Sequence, residues 1–253
     1  MDLANFLIQL LNSVQYGLLL FLLAAGLTLI FGIMGVVNLA HGSFYMIGAY
    51  LGYGLTAQTG SLTLALMGGA ALSVLLGWLL ERVLFRHFYH RDHLDQVLMT
   101  FGLIYVLEET RSILWGDDVH GVEAPALLAG TLPLGEIMTY PVYRLFISGV
   151  CLALALGMYG VFTRTRLGMM IRAGAFNREM VQSLGIDIAW LNRIVFAIGV
   201  ALAAFAGMVA APLIMRLLVS GVHDPSVRAA EAQLGTFLLW FFLPQIVFYA
   251  ANL

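Results

Sequence analysis

Residues 6–34 read FLIQLLNSVQYGLLLFLLAAGLTLIFGIM, and not one of them is charged. A transmembrane helix needs about 20 mostly apolar residues, so this stretch alone is long enough to cross a bilayer. No basic residue precedes Arg82, whereas a secretory signal peptide starts with a positively charged region. We therefore expect residues 6–34 to be the first segment of a membrane domain, not a cleaved signal.

The composition of the whole chain extends this interpretation. Of 253 residues, 61% are hydrophobic and 10% are charged, and the mean hydropathy is +0.94. An average soluble domain has about 25% charged residues. The charged residues of this chain are therefore too few to cover a water-exposed surface. A soluble globular protein, a disordered chain and a fibrous repeat are excluded. We predict an all-α, polytopic transmembrane helical bundle of about six to eight membrane segments, some of them broken or re-entrant.

The charged residues are concentrated between the apolar segments, which predicts the topology. Residues 82–96 and residues 164–189 are rich in Arg, whereas residues 116–140 contain acids but no Arg. Because cytoplasmic loops carry an excess of basic residues, the first two should be cytoplasmic loops and the third a periplasmic loop. We treat residues 1–253 as a single transmembrane domain, with a last apolar block at residues 234–253.

The residue types exclude several functions. All 12 basic residues are Arg, whereas a P-loop needs a Lys and so does a Schiff base with PLP or retinal. The net charge of −2 gives no support for a nucleic-acid partner. The single Cys151 cannot form an intramolecular disulfide or a multi-Cys metal site. These absences exclude a P-loop ATPase, Schiff-base chemistry on a Lys, and a disulfide or multi-Cys site on this chain.

Polar residues cluster inside the second apolar segment. Residues 31–50 read FGIMGVVNLAHGSFYMIGAY, with Asn38, His41 and Ser43 close together. Polar groups in hydrocarbon are costly and usually face a cavity or another helix, and glycines interrupt helices. The cluster suggests a broken helix that lines a polar cavity, as in transporters. For His41 alone, a simple hydrogen bond to a neighbouring helix is an equal alternative. Residues 48–52 form a GxxxG pattern, typical of helix packing.

Two further patterns of charged and titratable residues each have two interpretations. Glu108 lies three residues before Arg111 and can pair with it on one helix face, as an interfacial ion pair or as a charge beside a substrate path. We keep both and include Glu108 among the candidate path residues. His87, His90 and His93 recur at every third position, a spacing that suits metal ligands. Their loop is rich in Arg, which disfavours a cation, so we expect a solvated loop without a metal.

The second Arg-rich connection predicts a short amphipathic helix. Residues 164–189 read RTRLGMMIRAGAFNREMVQSLGIDIA. Apolar side chains recur there at spacings of three or four, namely at Met169, Ala173, Phe176, Met180 and Leu184. Gly185 is expected just after the end of the helix. A helix lying flat on the membrane and a docking helix for a cytoplasmic partner both fit this pattern.

Three blocks of this sequence resemble one family. The block at residues 31–50 looks like the signature of the branched-chain amino acid ABC importer permeases, which carry Leu, Ile and Val with high affinity. RAGAFNREMVQSLGID, residues 172–187, resembles their cytoplasmic stretch that contacts the ATPase, and LMTFGLIYVLEETRSILWG, residues 98–116, also fits. The resemblance covers about residues 6–213. The tail at residues 214–253 is atypical, because it lacks the family's Gly-rich block.

The resemblance implies a permease of the bacterial inner membrane that moves branched-chain amino acids inward by alternating access. Its implied partners are two ATP-binding subunits, a second homologous permease subunit and a periplasmic solute-binding protein. The resemblance also implies that this chain is not an enzyme and has no cofactor. The absence of Lys agrees with this division, since ATP hydrolysis then belongs to another chain. The implied substrate path contains Asn38, His41, Gly42, Ser43 and Tyr45. The implied ATPase-coupling loop contains Gly168, Arg172, Ala173, Asn177, Glu179 and Gly185.

Other functions compete with this one. A permease for urea or short amides belongs to the same family and shares its signatures. A stand-alone secondary transporter or channel should carry an intramembrane acid or Arg for ion coupling, and the candidates, Glu108, Glu109 and Arg111, stand near the end of a span. An intramembrane enzyme using His41 lacks any HExxH or GxSxG pattern.

Overall fold

The computed structural model describes residues 3–89, 91–116, 128, 130–133 and 139–221, with side chains between residues 6 and 210. The helices are α1 (Leu3–Met34), α2 (His41–Thr59), α3 (Leu62–Val83), α4 (His93–Trp115), α5 (Val142–Arg164), α6 (Arg166–Phe176), α7 (Arg178–Ser183) and α8 (Ile188–Gly221). A 3₁₀ turn covers Phe85–His87, and β1 (Thr131–Pro133) pairs antiparallel with β2 (Thr139–Pro141). The predicted all-α bundle is confirmed, with this short hairpin as an addition.

By their internal contacts, the residues divide into two units, Met1–Pro212 and Leu213–Leu253. In the second unit, residues 213–221 are helical. The predicted apolar block at residues 234–253, the rest of the atypical tail and most of the predicted periplasmic loop at residues 116–140 lie outside the described residues.

Four helical stretches among the described residues are long and apolar enough to cross a membrane, judged by length and composition. They are Phe6–Met34, Leu62–His87, Val142–Arg164 and Ile188–Ala210. Helices α2 and α4 contain 19 and 23 residues, but they carry more polar residues and are not among the four. The chain is therefore a multi-pass membrane protein, and the total of six to eight segments stays a prediction.

Helix α8 lies at the centre of the first unit. In the most apolar stretch of α8, 72% of the residues are buried, against 11% in the corresponding stretch of α5. Small residues allow this, because they let helix backbones approach closely. A Cβ at Gly48 of α2 would overlap the backbone of Ala204 in α8, and Gly52 lies against Met208. The predicted GxxxG packing surface is therefore confirmed, and its partner is α8.

The connection between α3 and α4 is less solvated than we expected. Phe85 is fully buried, and its ring centroid lies 4.2 Å from that of Phe196 in α8. Gln96 is buried too, and its Nε2 donates to the carbonyls of Phe88 and Arg91, both at 3.1 Å. The interpretation of residues 82–96 as an aqueous loop is wrong for these side chains, because the 3₁₀ turn folds the connection back onto α8.

Candidate functional site

The turn between α1 and α2 holds the first group of candidate residues. Residues 35–40 are not helical, and Gly35 adopts a left-handed conformation with φ of +65°, which costs glycine little. The Asn38 side chain then accepts a hydrogen bond from the backbone N–H of Ala40 at 3.1 Å. We call residues 35–41 the polar turn. The helical interruption that the glycines suggested lies here, between two helices.

His41 begins α2 and is almost fully buried. Its Nε2 lies 3.0 Å from the carbonyl oxygen of Leu23 in α1, so the ring N–H donates to that oxygen. The ring occupies space left by Gly26, where a Cβ would approach it to 3.2 Å. The hydrogen bond to a neighbouring helix, one of the two interpretations of His41, is thus present.

Two polar atoms of the polar turn are buried and unsatisfied. His41 Nδ1 and Asn38 Nδ2 are buried without a hydrogen-bond partner among the described residues. Because Nε2 carries the donated proton, Nδ1 of the neutral ring is an acceptor, whereas Nδ2 of Asn38 is a donor. An unsatisfied buried polar group costs about 1–3 kcal/mol. A polar substrate group that reached this turn would find one donor and one acceptor three residues apart.

The remaining candidate path residues are less buried. Gly42 is exposed, whereas Ser43 and Tyr45 are half-buried on α2. The Tyr45 backbone carbonyl lies against Gly207 of α8, where a Cβ would overlap it. The structure therefore brings Asn38 and His41 together in the interior and leaves Gly42 on the surface.

Glu108 lies apart from this cluster, exposed on α4. The expected ion pair with Arg111 is not among the contacts of the described residues. Arg111 Nη1 instead donates to the Gly116 carbonyl at 2.9 Å, and its guanidinium lies 5.5 Å from the ring centroid of Tyr50 in α2. Tyr50 and the carbonyl at the end of α4 thus both help to hold this Arg.

The second candidate segment, which we call the α6–α7 segment (residues 166–185), contains two helices. Our prediction of one amphipathic helix is wrong at Asn177, where the backbone is extended and the side chain accepts from the N–H of Met180 at 2.9 Å. An Asn cap of this kind starts a new helix. Gly185 follows the end of α7 with φ of +84°, as expected.

The two faces of the α6–α7 segment differ in what they contact. The inner face packs on the protein through Gly168, Ile171, Gly174 and Val181. The outer face exposes the predicted apolar stripe, with Met169 55%, Phe176 94%, Met180 61% and Leu184 71% exposed. Ala173 and Glu179 are exposed as well. Large apolar side chains exposed in this number suit contact with a protein or a membrane.

Arg172 has a different environment from the other candidates in this segment. It lines an apolar groove of about 520 Å³ between α1, α5 and α6, beside residues such as Gly32 and Phe162. The apolar stem of an Arg covers apolar surface while its charged end reaches water. A change at Arg172 therefore alters packing as well as charge.

The histidines of the α3–α4 connection show no metal site in the part of the chain that is described. No group of three or more His, Cys, Asp or Glu side chains there is arranged to hold a metal ion. His90 lies outside the described residues, so the expectation of a loop without a metal stays a prediction.

Sequence reasoning missed Gln15 in α1. This side chain is fully buried, and neither amide atom has a partner among the described residues. The signal was present, since Gln15 is an amide within an uncharged and mostly apolar segment, a pattern similar to the one that pointed to Asn38.

Comparison with known proteins identifies the family. The sequence profile of the branched-chain amino acid transport system permease component matches residues 9–219. The chain belongs to this family. The matched range includes the polar turn and the α6–α7 segment. It ends at residue 219, near residue 213, where the resemblance ended.

The permease is similar to several curated relatives. It is 30% identical to the high-affinity branched-chain amino acid transport system permease protein BraD of Pseudomonas aeruginosa, over 82% of this chain and 71% of the relative. It is 31% identical to LivH of Escherichia coli K12, over 80% and 70% of the two chains. A probable LivH of Methanocaldococcus jannaschii is 27% identical over 78% of this chain and 63% of its own. No solved structure matches the permease significantly.

Proposed function

We propose that this chain is the membrane-spanning permease subunit of an ATP-driven ABC importer, carrying branched-chain amino acids inward across the bacterial inner membrane. The observation that carries the proposal is the identity of about 30% to relatives named as high-affinity permeases for these amino acids. The chain performs no catalysis. Two ATP-binding subunits, a second homologous permease subunit and a periplasmic solute-binding protein complete the transporter.

The polar turn supports a role in the substrate path. Asn38 Nδ2 and His41 Nδ1 offer a buried donor and a buried acceptor, which suit the carboxylate and ammonium groups of an amino acid. These groups lie at a helical break, where transporters bind substrates. Opening of the bundle by alternating access would give the substrate access to them. The path continues along α2 through Gly42, Ser43 and Tyr45. Glu108 would contribute only near the end of this path.

The α6–α7 segment supports docking of the ATP-binding subunits. Its outer face exposes a row of apolar side chains, and Phe176 is 94% exposed. The surrounding loop is rich in Arg, which by the positive-inside rule favours the cytoplasmic side, where ATP is available. In this proposal, Gly168, Gly174 and Gly185 shape the segment, while Arg172, Ala173, Asn177 and Glu179 present or support its surface.

Two alternatives receive less support. The curated relatives named above are branched-chain amino acid permeases, which favours these substrates over urea or short amides. A stand-alone secondary transporter would need a buried charge that is free to couple to an ion. Glu108 and Glu109 are exposed on α4, and the buried Glu81 at the end of α3 is paired with Arg193.

Substrate competition in cells tests the proposed substrate class. The permease is expressed with the proposed partner subunits in a host lacking its own leucine importers, and uptake of radiolabelled leucine is measured. Unlabelled isoleucine and valine should suppress uptake, whereas urea and acetamide at the same concentration should not. If urea or acetamide suppresses uptake whereas isoleucine and valine do not, the permease belongs to the amide branch of the family.

A further inference from the structure

The end of α3 carries a carboxylate that is buried. Glu81 is 1% exposed, although it stands between an apolar segment and the Arg-rich connection. A buried carboxylate is costly unless charged or hydrogen-bonding groups compensate it. The groups that contact this carboxylate therefore show which parts of the protein it connects.

Each oxygen of Glu81 faces a different element. Oε1 accepts a hydrogen bond from the Tyr89 hydroxyl at 2.6 Å, in the connection between α3 and α4. Oε2 lies 3.3 Å from Nε of Arg193 in α8. Burial, reinforced by the bond to Glu81, raises the pKa of the Tyr89 phenol far above its usual range. The phenol therefore stays protonated and keeps donating at physiological pH.

Tyr89 extends this cluster to the α6–α7 segment. The guanidinium of Arg178, the first residue of α7, lies 5.6 Å from the centroid of the Tyr89 ring, a cation–π distance. Val181 of α7 and Phe196 of α8 belong to the same buried hydrophobic cluster. A continuous set of contacts thus runs from α7 through Tyr89 and Glu81 to α8.

We infer that Glu81 is a positioning residue of the transport cycle, which holds α7 in a fixed relation to α3 and α8 through Tyr89 and Arg193. This inference rests on the proposed docking of ATP-binding subunits to the α6–α7 segment. A displacement of α7 by those subunits would pull on Tyr89 and so on the two membrane helices that meet at Glu81. Connected networks of hydrogen bonds, ion pairs and packed side chains are the contacts through which coupling between sites is carried.

Two substitutions separate coupling from folding. Glu81→Gln keeps an oxygen for the Tyr89 hydroxyl but turns an amide N–H₂ toward Arg193, so it breaks the link to α8. Tyr89→Phe removes the hydroxyl and keeps the ring beneath Arg178. Arg82→Gln is the matched control, because Arg82 is the exposed neighbour of Glu81 and lies over the ring of Trp78 instead.

The measurement is the number of leucine molecules transported per ATP hydrolysed, in proteoliposomes containing the full-length permease and its partner subunits. We expect Glu81→Gln to lower this ratio about tenfold, within the range of coupling free energies between sites, while ATP hydrolysis continues. Tyr89→Phe should lower it less, and Arg82→Gln should retain the wild-type ratio.

The outcomes distinguish this inference from the proposed function. If wild-type permease shows no ATP-driven uptake, the proposed function fails. If the wild type transports but Glu81→Gln and Tyr89→Phe retain its ratio, the positioning role is overturned. Equal loss of uptake and hydrolysis in both variants, with a lowered melting temperature, would also overturn it and leave Glu81 a structural residue.

Discussion

His41 at the start of α2 donates a hydrogen bond from Nε2 to the carbonyl of Leu23 in α1, at 3.0 Å. The two residues are 18 positions apart in sequence, and the polar turn between them brings the first residue of α2 into contact with α1. This contact leaves Nδ1 of the ring without a partner among the described residues. The bond therefore fixes the tautomer that makes Nδ1 an acceptor.

The fit of this ring beside Gly26 leads to a first prediction. In Gly26→Ala the new Cβ would lie 2.7 Å from the Gly199 carbonyl oxygen and 3.2 Å from the His41 ring. We expect a loss of about 1–3 kcal/mol in the free energy of unfolding, as for other overpacked sites. Thermal unfolding in detergent measures it. Gly17→Ala on the same helix is the control, because nothing lies within 4 Å of its Cβ position. Equal stability of the two variants would contradict the packing.

The free amide of Asn38 gives a second prediction. Asn38→Ser keeps a hydroxyl that can accept from the Ala40 N–H but removes the unpartnered Nδ2. We expect KM for leucine uptake to rise roughly tenfold, the worth of one hydrogen bond of about 1.4 kcal/mol, with little change in melting temperature. Asn38→Ala should lower the melting temperature as well, since it also removes the oxygen that accepts from the Ala40 N–H and supports the turn. A wild-type KM in the Ser variant would remove Asn38 from the substrate path.

How far the sequence could predict this site depends on the kind of contact. Asn38 and His41 were found because a polar group in an apolar segment is costly and therefore informative. Gly48 and Gly52 were found because their spacing places both on one helix face. Both are local signals, which spacing along a single segment reveals without knowledge of the neighbouring helix.

Glu81 and Phe85 show what local signals miss. Their charged neighbours Arg82 and Arg86 indicate an aqueous loop, yet Glu81 pairs with Arg193, more than 100 residues away, and Phe85 packs on Phe196. Nothing in the spacing of the connection indicates that it folds back onto α8. At Asn177, by contrast, the signal was local, since Asn is a strong helix cap, but the apolar periodicity on both sides outweighed it.

Phe176 provides a third prediction, on partner binding. Because its side chain is 94% exposed, Phe176→Ala should change the permease's own stability by less than about 0.5 kcal/mol. We expect affinity for the purified ATP-binding subunit to fall by about 2 kcal/mol or more, as at interface hot spots. Phe101→Ala, at an exposed aromatic of α4, is the control. Unchanged subunit affinity with weaker binding to lipid would mean that the segment lies flat on the membrane.

The Asn177 cap provides a fourth prediction. Asn177→Ala leaves the Met180 N–H without its acceptor and should destabilise α7 by about 1 kcal/mol. Amide hydrogen exchange in residues 178–183 should then accelerate roughly fivefold, whereas Asn177→Asp retains a capping oxygen and the slower exchange. If the Ala variant exchanges as slowly as the wild type, packing of Val181 alone maintains this helix.

Glu179 and Arg172 provide a fifth prediction, on coupling. Both are exposed, so Glu179→Gln or Arg172→Gln should leave membrane insertion intact while lowering leucine transport per ATP hydrolysed. Arg172 should show the additional effect of lost packing in its groove. Unchanged coupling in both variants would indicate that the α6–α7 segment does not transmit the ATPase cycle.

ATP dependence in a defined system tests the central claim most directly. The permease is reconstituted into proteoliposomes with and without its ATP-binding subunits, with the solute-binding protein on the outer side, and radiolabelled leucine uptake is recorded. We predict uptake only when the ATP-binding subunits and internal ATP are both present, whatever the sodium or proton gradient. Uptake that persists without these subunits and follows an imposed ion gradient would contradict the account and identify a secondary transporter.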